Sequence, residues 1–469
     1  MEIFRKDIPQ KIALYEDDNK YISYGELQIK VDEISEHFKE NSLVFLICSN
    51  TIECIAIYLA CIRKNAVPLL LAENINETKL TNLIKTYSPS YICSKKKFDL
   101  KSRQLDIIKS LLNAYCIYEE KGTNIQLNNE LAILLTTSGS TGSPKIARIS
   151  KENITSNTSA IIDYLNITEN DSHITTLPLC YTYGLSCVHT HLKMGGTIYL
   201  NDYSVIEREF WNFYRNCKPT SISGVPYTYE LINRIGLDNL ITNKLRCVTQ
   251  AGGKMSKDLH EKMSNLLREH KISLFTMYGQ TEATARMSYV PTERCKDKQG
   301  SIGIPIKGGK FSLNNINTDG IGELVYTGKN VFMGYAYNKG DLEKGNSNNN
   351  KLYTGDIGYI DGEGYAYLIS REKRFAKING VRIDLDYIQD LIVEVFTSCA
   401  TISDDKTITV YLEKDNQAKE DEIQYIRNLK RYLLERTSIQ PTLYKIKILK
   451  RLPRTSSGKI AYGELSNVK

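Results

Sequence analysis

The chain has 469 residues, 41% hydrophobic and 25% charged, a balance that excludes a disordered or fibrous polymer and leaves length for a large core and two or three domains. Its 61 basic and 54 acidic residues give a formal charge of +7, a mild excess suited to an anionic small molecule or an acidic partner. The nearest candidates for a basic stripe, Lys95-Lys96-Lys97 and Lys430-Arg431, are too short for nucleic acid.

In chain order, the pattern predicts a helix from Tyr24 to Phe38, a strand at Leu43-Val44-Phe45-Leu46-Ile47 and a helix from Ile52 to Arg63. Strands follow at Ala66 to Leu71 and Leu131 to Leu135. Short buried strands alternating with helices predict an α/β fold with a largely parallel sheet. Between Gly300 and Tyr367 glycines and short alternating strands, such as Gly322 to Tyr326, predict a more β-rich subdomain. Gly345 to Asn350 reads as a polar loop. Towards the C-terminus, Ile408, Val410 and Leu412 alternate, Ile423, Ile426, Leu429 and Leu433 recur at helical spacing, and Tyr444, Ile446 and Ile448 alternate again. These predict a small α/β domain behind the charged run Ser370-Arg371-Glu372-Lys373, and so a division into residues 1–371 and 372–469. Eleven cysteines without a C-x-x-C pair indicate neither a disulfide framework nor a zinc knuckle. A charged N-terminus and no apolar run near the roughly 20 residues of a membrane span complete the expectation of a cytoplasmic protein without a membrane segment. The six histidines follow no H-E-x-x-H pattern and read as structural or surface residues.

Four segments carry chemistry. Thr137-Ser138-Gly139-Ser140-Thr141-Gly142-Ser143-Pro144-Lys145 packs hydroxyls, two glycines and a lysine directly behind an apolar strand, the composition that holds a polyphosphate through backbone N–H groups and charge. It is not a Walker loop, because no lysine follows Gly142. In Tyr278-Gly279-Gln280-Thr281-Glu282 the ring can stack on a purine, the threonine can donate to phosphate and the glutamate can hold Mg²⁺. Asp356, within Tyr353-Thr354-Gly355-Asp356, and Arg371 can accept from and donate to a ribose. Leu452-Pro453-Arg454-Thr455-Ser456-Ser457-Gly458-Lys459 sets a lysine on a loop bounded by proline and glycine.

In order and spacing these segments resemble the adenylate-forming superfamily, which includes acyl- and aryl-CoA synthetases, peptide-synthetase adenylation domains and firefly-type luciferases. Weaker features of the same kind are Ile22 to Leu27, Leu177 to Gly184, Gly252-Gly253 and Lys377 to Ile383. The resemblance implies a large N-terminal AMP-binding domain and a small mobile C-terminal lid that carries the catalytic lysine. It implies ATP-dependent activation of a carboxylic acid as acyl-AMP, with release of pyrophosphate, then transfer to the thiol of coenzyme A or of a carrier protein's phosphopantetheine.

It also implies roles. Residues from Thr137 to Lys145, namely Thr137, Ser138, Gly139, Ser140, Thr141, Gly142 and Lys145, would hold the β- and γ-phosphates. Thr281 would hold the α-phosphate and Glu282 the Mg²⁺; Tyr278 and the Gly252-Gly253 backbone would receive adenine, with Asp356 and Arg371 on ribose and Gly279 in the same nucleotide site. Lys459 would bridge the carboxylate and the α-phosphate, Lys373 would be the hinge, and the loop of Gly380 would line a pantetheine channel.

Tyr181 and Gly184 fall in the acid pocket. Amino-acid-activating relatives commonly carry an aspartate there for the substrate ammonium, and Cys180 to Ser186 holds none, which favours an acyl or aryl acid. An amino-acid-activating enzyme that loads a separate carrier, and a luciferase-like oxygenase, are the alternatives. Tyr462 replaces an arginine frequent in relatives.

Overall fold

The computed structural model describes residues 3–17, 20–96, 105–112, 115–120, 125–137, 145–371, 374–378, 381–395, 398–404, 406–414, 422–437, 439–455 and 458–465. Two compact units emerge: Met1–Lys254 with Leu259–Lys310 and Tyr326–Leu352, and Met255–Asp258 with Phe311–Val325 and Tyr353–Lys469. The division after residue 371 expected from sequence falls inside the second unit.

The first unit is built on two sheets. In one, Leu43–Cys48 pairs in parallel with both Val67–Ala72 and Tyr91–Ser94, and Val67–Ala72 pairs in parallel with Leu131–Thr136. Leu131–Thr136 then turns back antiparallel onto Ile146–Ser150. In the other, Thr197–Leu200, Ser172–Ile174, Ser221–Gly224, Cys247–Gln250 and Ser273–Tyr278 form a continuous parallel run. The antiparallel Ser288–Val290 follows Ser273–Tyr278 at its edge. Strands buried on both faces read as unbroken apolar runs, which is why Leu43 to Cys48 contains no polar residue.

The helix Ile52–Arg63 is capped by the Thr51 side chain and buried along nearly its whole circumference. It packs on Val67–Ala72 of one sheet and on Ile12–Glu16 of the other, so no face needs to be polar. A second buried helix, Thr182–Met194, lies against it through a 2.8 Å hydrogen bond between Tyr58 Oη and His189 Nε2. Its polar residues are satisfied inside: His191 Nδ1 lies 2.9 Å from the Cys187 carbonyl, and Ser221 Oγ joins His191 Nε2 at 3.3 Å and His173 Nδ1 at 3.0 Å. Burial pushes His173, His189 and His191 down to about 3, so all three imidazoles are neutral at pH 7.

In the second unit, Asp356 to Ile360 of the strand Lys351–Ile360 pairs antiparallel with Ala366–Arg371, part of the β-rich stretch expected from the glycines. Beyond it, Cys399–Ser403, Ile408–Glu413 and Tyr444–Leu449 make a three-stranded sheet. Ile388 and Ile392 of the helix Leu385–Val395 and Leu429 and Leu433 of Glu422–Thr437 bury themselves against Val410, Leu412 and Tyr444. Ile423, expected on that apolar face, is 61% exposed: it lies in the turn Glu422 to Tyr425, ahead of Leu429 and Leu433, which fill the core.

Candidate active site

The glycine-rich loop hangs on an antiparallel hairpin. Its residues 138–144, including Ser138, Gly139, Ser140, Thr141 and Gly142, lie outside the described residues. Its two ends meet on one carbonyl: the Thr137 backbone N–H donates to Lys145 O at 2.9 Å and its hydroxyl to the same oxygen at 3.0 Å. From there Lys145 Nζ sits 5.2 Å above the ring of Tyr335. The Tyr335 hydroxyl donates to Glu282 Oε1 at 2.6 Å, and burial together with that carboxylate pushes the phenol well above its ordinary range. Loop lysine, aromatic ring and carboxylate therefore form one row, although they come from three distant stretches of chain. Sequence reasoning missed Tyr335; its only signal is the spacing of Phe332, Tyr335 and Tyr337 around the strand Gly334–Ala336, which adds to the hairpin edge.

Glu282 belongs to a 3₁₀ turn, Thr281–Ala283, at the exit of Ser273–Tyr278. Gln280 Nε2 donates to the Tyr278 hydroxyl at 3.1 Å, and the Phe332 N–H to the Glu282 carbonyl at 2.9 Å. The turn closes on Thr284 at φ 67°, a left-handed conformation that costs a β-branched residue free energy and persists only where surroundings enforce it. The enforcer is Asn330. Its carbonyl accepts the Thr284 hydroxyl at 2.7 Å, and its buried side chain donates to Ala283 O at 2.9 Å and Arg286 O at 3.0 Å. Asn157 adds a further bond to Arg286 O at 2.7 Å. Neither asparagine was singled out from sequence, since each acts through more than 40 intervening residues.

Glycines at this site have packing reasons. A Cβ on Gly279 would lie 1.7 Å from the Ala285 carbonyl oxygen, and one on Gly184 would lie 2.6 Å from Pro178 O, so backbone approaches backbone at both places. Gly252 takes φ 88°, and the Gly253 carbonyl accepts from Gln250 Nε2 at 2.8 Å. Tyr181 precedes the helix Thr182–Met194 and is partly buried beside Tyr183, with ring centroids 6.3 Å apart.

Within the second unit, Asp356 and Arg371 are cross-strand partners in the antiparallel pair, and the Asp356 side chain is buried. Lys459 stands on a turn in which Gly458 adopts φ 79°. The Thr455 N–H donates to Lys459 O at 2.7 Å and the Lys459 N–H to Thr455 Oγ1 at 3.2 Å. Lys373 and Gly380 lie outside the described residues. Arg374 is held by Asp386 at 2.9 Å and by the Thr401 carbonyl at 3.0 Å, and stacks 4.1 Å over the ring of Tyr462. The Tyr462 hydroxyl donates to Gln389 at 2.9 Å. That is a structural reason for a tyrosine at 462, which the sequence alone left without one.

A family model described as AMP-binding enzyme matches residues 4–336. A 2-succinylbenzoate–CoA ligase of Oceanobacillus iheyensis is 27% identical over 402 residues, 82% of each chain, and one of Bacillus subtilis is 24% identical over 490 residues, 98% of this chain and 96% of its own. Among solved structures, the o-succinylbenzoate CoA synthetase of Bacillus subtilis in complex with its acyl-adenylate intermediate matches with a TM-score of 0.80 at 21% identity, over 98% of this chain and 96% of that one. ATP-bound MatB of Rhodopseudomonas palustris gives a TM-score of 0.77 at 21% identity, over 99% and 96%. Those structures speak to the shared fold. The family model spans well over half of the sequence and includes Thr137, Lys145, Glu282 and Tyr335, so the chain belongs to the AMP-binding enzyme family.

Proposed function

We propose that this chain is an AMP-forming acid–thiol ligase that joins an aromatic keto-dicarboxylic acid of the 2-succinylbenzoate type to coenzyme A. The observation that carries the choice of acid and acceptor is the near end-to-end likeness to 2-succinylbenzoate–CoA ligases, including 97% of the chain against that of Bacillus cereus at 25% identity. No helix among the described residues is long and apolar enough to cross a membrane.

In the first half-reaction a carboxylate oxygen attacks the α-phosphorus of ATP and pyrophosphate leaves. Two anions must be brought together, so the site's task is to neutralise charge that grows on phosphoryl oxygens. Lys145 and the loop before it hold the β- and γ-phosphates, Thr281 the α-phosphate, and Lys459 reaches the carboxylate and α-phosphate together. Tyr278 and the Gly252-Gly253 backbone receive adenine, with Asp356 and Arg371 on ribose and Gly279 in the same nucleotide site. Glu282 suits Mg²⁺: it is a hard anionic oxygen whose observed partner is a neutral phenol, while the nearby lysine lies over the ring. Mg²⁺ would supply charge neutralisation on the phosphates. Tyr335 keeps the carboxylate turned one way.

In the second half-reaction the thiol sulfur attacks the acyl carbon and AMP departs. Residues 372–469 act as the lid, turning at Lys373 so that the thiol can enter, and the Gly380 loop lines its path. Coenzyme A is the acceptor; a carrier protein's phosphopantetheine presents the same thiol. The test is ATP–pyrophosphate exchange over a panel of carboxylic acids, followed by mass spectrometry with coenzyme A and with a loaded carrier. Exchange with 2-succinylbenzoate and a coenzyme A thioester is the expected result. Exchange only with amino acids, or oxygen uptake in place of thioester, would overturn it.

A further inference from the structure

A buried arginine lies beside the adenylation turn without a carboxylate to neutralise it. Arg286 is 2% exposed, and no acidic side chain among the described residues pairs with it. Its Nη1 donates to Ser186 Oγ at 3.0 Å, its Nε points at the Met277 sulfur at 3.3 Å, and its guanidinium carbon lies 3.8 Å above the Tyr183 ring. A hydroxyl, a thioether and a ring face are weak company for a full charge. Burying an ion is costly unless an opposite charge shares the site.

The position is fixed rather than accidental. Asn157 and Asn330 both bind the Arg286 carbonyl, and Asn157 Oδ1 also accepts the Arg286 N–H at 3.3 Å. The side chain faces a small cavity with Ser186, His191, Ser221, Ser223 and Thr249; the Ser186 and Ser221 hydroxyls donate to the Tyr183 and Ser172 carbonyls, and those of Ser223 and Thr249 bond each other, so Arg286 brings the charge to that wall. The other arginine on that wall, Arg246, is already paired with Asp171. The histidines there are neutral, as their hydrogen bonds and burial require. The cavity thus holds one uncompensated positive charge ringed by hydroxyls, between the helix that begins after Tyr181 and the strand that leads to Glu282.

We propose that Arg286 is the specificity residue for the acid, receiving a second carboxylate at the end of the substrate remote from the one that is adenylated. This rests on the ligase reading above and deepens it: the substrate is a dicarboxylic acid, and an acid with an ammonium at its far end is rejected by like charge. The small free volume requires the pocket to open as the substrate enters.

The test compares 2-succinylbenzoate with 4-oxo-4-phenylbutanoate, which lacks the ring carboxylate, in the wild-type chain, in Arg286→Met and in Arg286→Lys. Exchange kinetics and ligand-induced shifts in melting temperature are both read. The wild type is expected to favour the diacid by about 10³-fold in kcat/KM, because a site built to bind a polar group rejects the analogue that leaves it unpaired. Arg286→Met should lose about that factor on the diacid, mostly through KM, and change the monoacid less than about threefold; Arg286→Lys should restore part of it. Equal losses on both acids, or none on the diacid, would overturn the assignment. If no acid supports exchange, the ligase reading fails, and the melting shift decides the arginine: stabilisation by the diacid that Arg286→Met abolishes supports the site, and its absence or persistence refutes it. Should Arg286→Met not fold, a wild-type preference for the diacid below about tenfold is the refuting result.

Discussion

Replacing Gly279 by alanine puts the adenylation turn under a defined load. The new methyl carbon would sit 1.7 Å from Ala285 O, 2.7 Å from Ala285 C and 3.0 Å from Arg286 Cα. A carbon and an oxygen tolerate contact only down to about 3.3 Å, so the shortfall is about 1.6 Å. The obstruction is backbone on both sides and cannot swing away as a side-chain tip would. Gly279 has no positive φ, so the whole penalty is steric. Overpacking in a filled interior costs about 1–3 kcal/mol, and a backbone clash belongs at or above the upper end. At about 2 °C per kcal/mol for a unit of this size, the melting temperature should fall by about 6 °C or more. Relief must push the Ala285–Arg286 segment off Asn157 and Asn330, and displacement of about 1 Å at reacting groups costs on the order of 10²-fold in rate. Melting curves and ATP–pyrophosphate exchange, run beside Gly362→Ala, give the answer. Gly362 has nothing within 4 Å of its Cβ position and no positive φ, so its alanine variant should behave as wild type. A Gly279→Ala protein with unchanged melting and exchange would show that this close approach is not needed.

Lys459→Ala should reduce exchange at least ~10²-fold, roughly 3 kcal/mol, and undiminished exchange would remove that lysine from the adenylation step. Lys373→Pro, by fixing φ, should leave adenylation intact and block thioester formation; equal effects on both half-reactions would count against a hinge there. Tyr335→Phe removes the donor to Glu282 and should raise the Mg²⁺ concentration for half-maximal exchange about tenfold, in line with about 1.5 kcal/mol for a hydrogen bond to a charge; an unchanged Mg²⁺ titration would show that the carboxylate holds its place unaided. The three buried histidines set a pH dependence. Their folded values near 3 lie below an unfolded value of about 6.5, so between those limits only the unfolded chain takes up protons. Their stabilisation is complete above about pH 6.5 and is lost as pH falls towards 3, by about 1.4 kcal/mol per histidine per pH unit. Urea midpoints at pH 7.5, 6 and 5 should fall accordingly and His189→Gln should lessen the slope, whereas a flat profile would mean that the imidazoles are protonated in place.

The strands and early helices were legible because each rests on a local pattern. The helix expected from Ile52 to Arg63 has those bounds, and Leu43 to Ile47 lies within a strand one residue longer, since an apolar segment bounded by polar turns leaves little choice. The nucleotide motifs were legible for a different reason: chemistry at a strand exit needs a few residue types in immediate succession, as Tyr278 to Glu282 has them. What fixes those motifs was not legible. Tyr335, Asn330 and Asn157 reach the turn through the fold, and nothing near them in sequence announces it. Arg286 did leave a trace, a lone charge entering the segment Met287-Ser288-Tyr289-Val290, which a period-based reading passes over as an edge residue. Ile423 shows the converse: helical spacing alone does not say where the core ends.

The grip of Arg374 bears on how this protein could be taken apart and rebuilt. One guanidinium reaches a helix through Asp386, a strand through Thr401 and the tail through Tyr462. A chimera whose junction lay after Arg374 would bring a foreign side chain to all three places at once. One joined just ahead of it would carry the grip across intact, together with the lysine-bearing turn, as a single transplantable cassette.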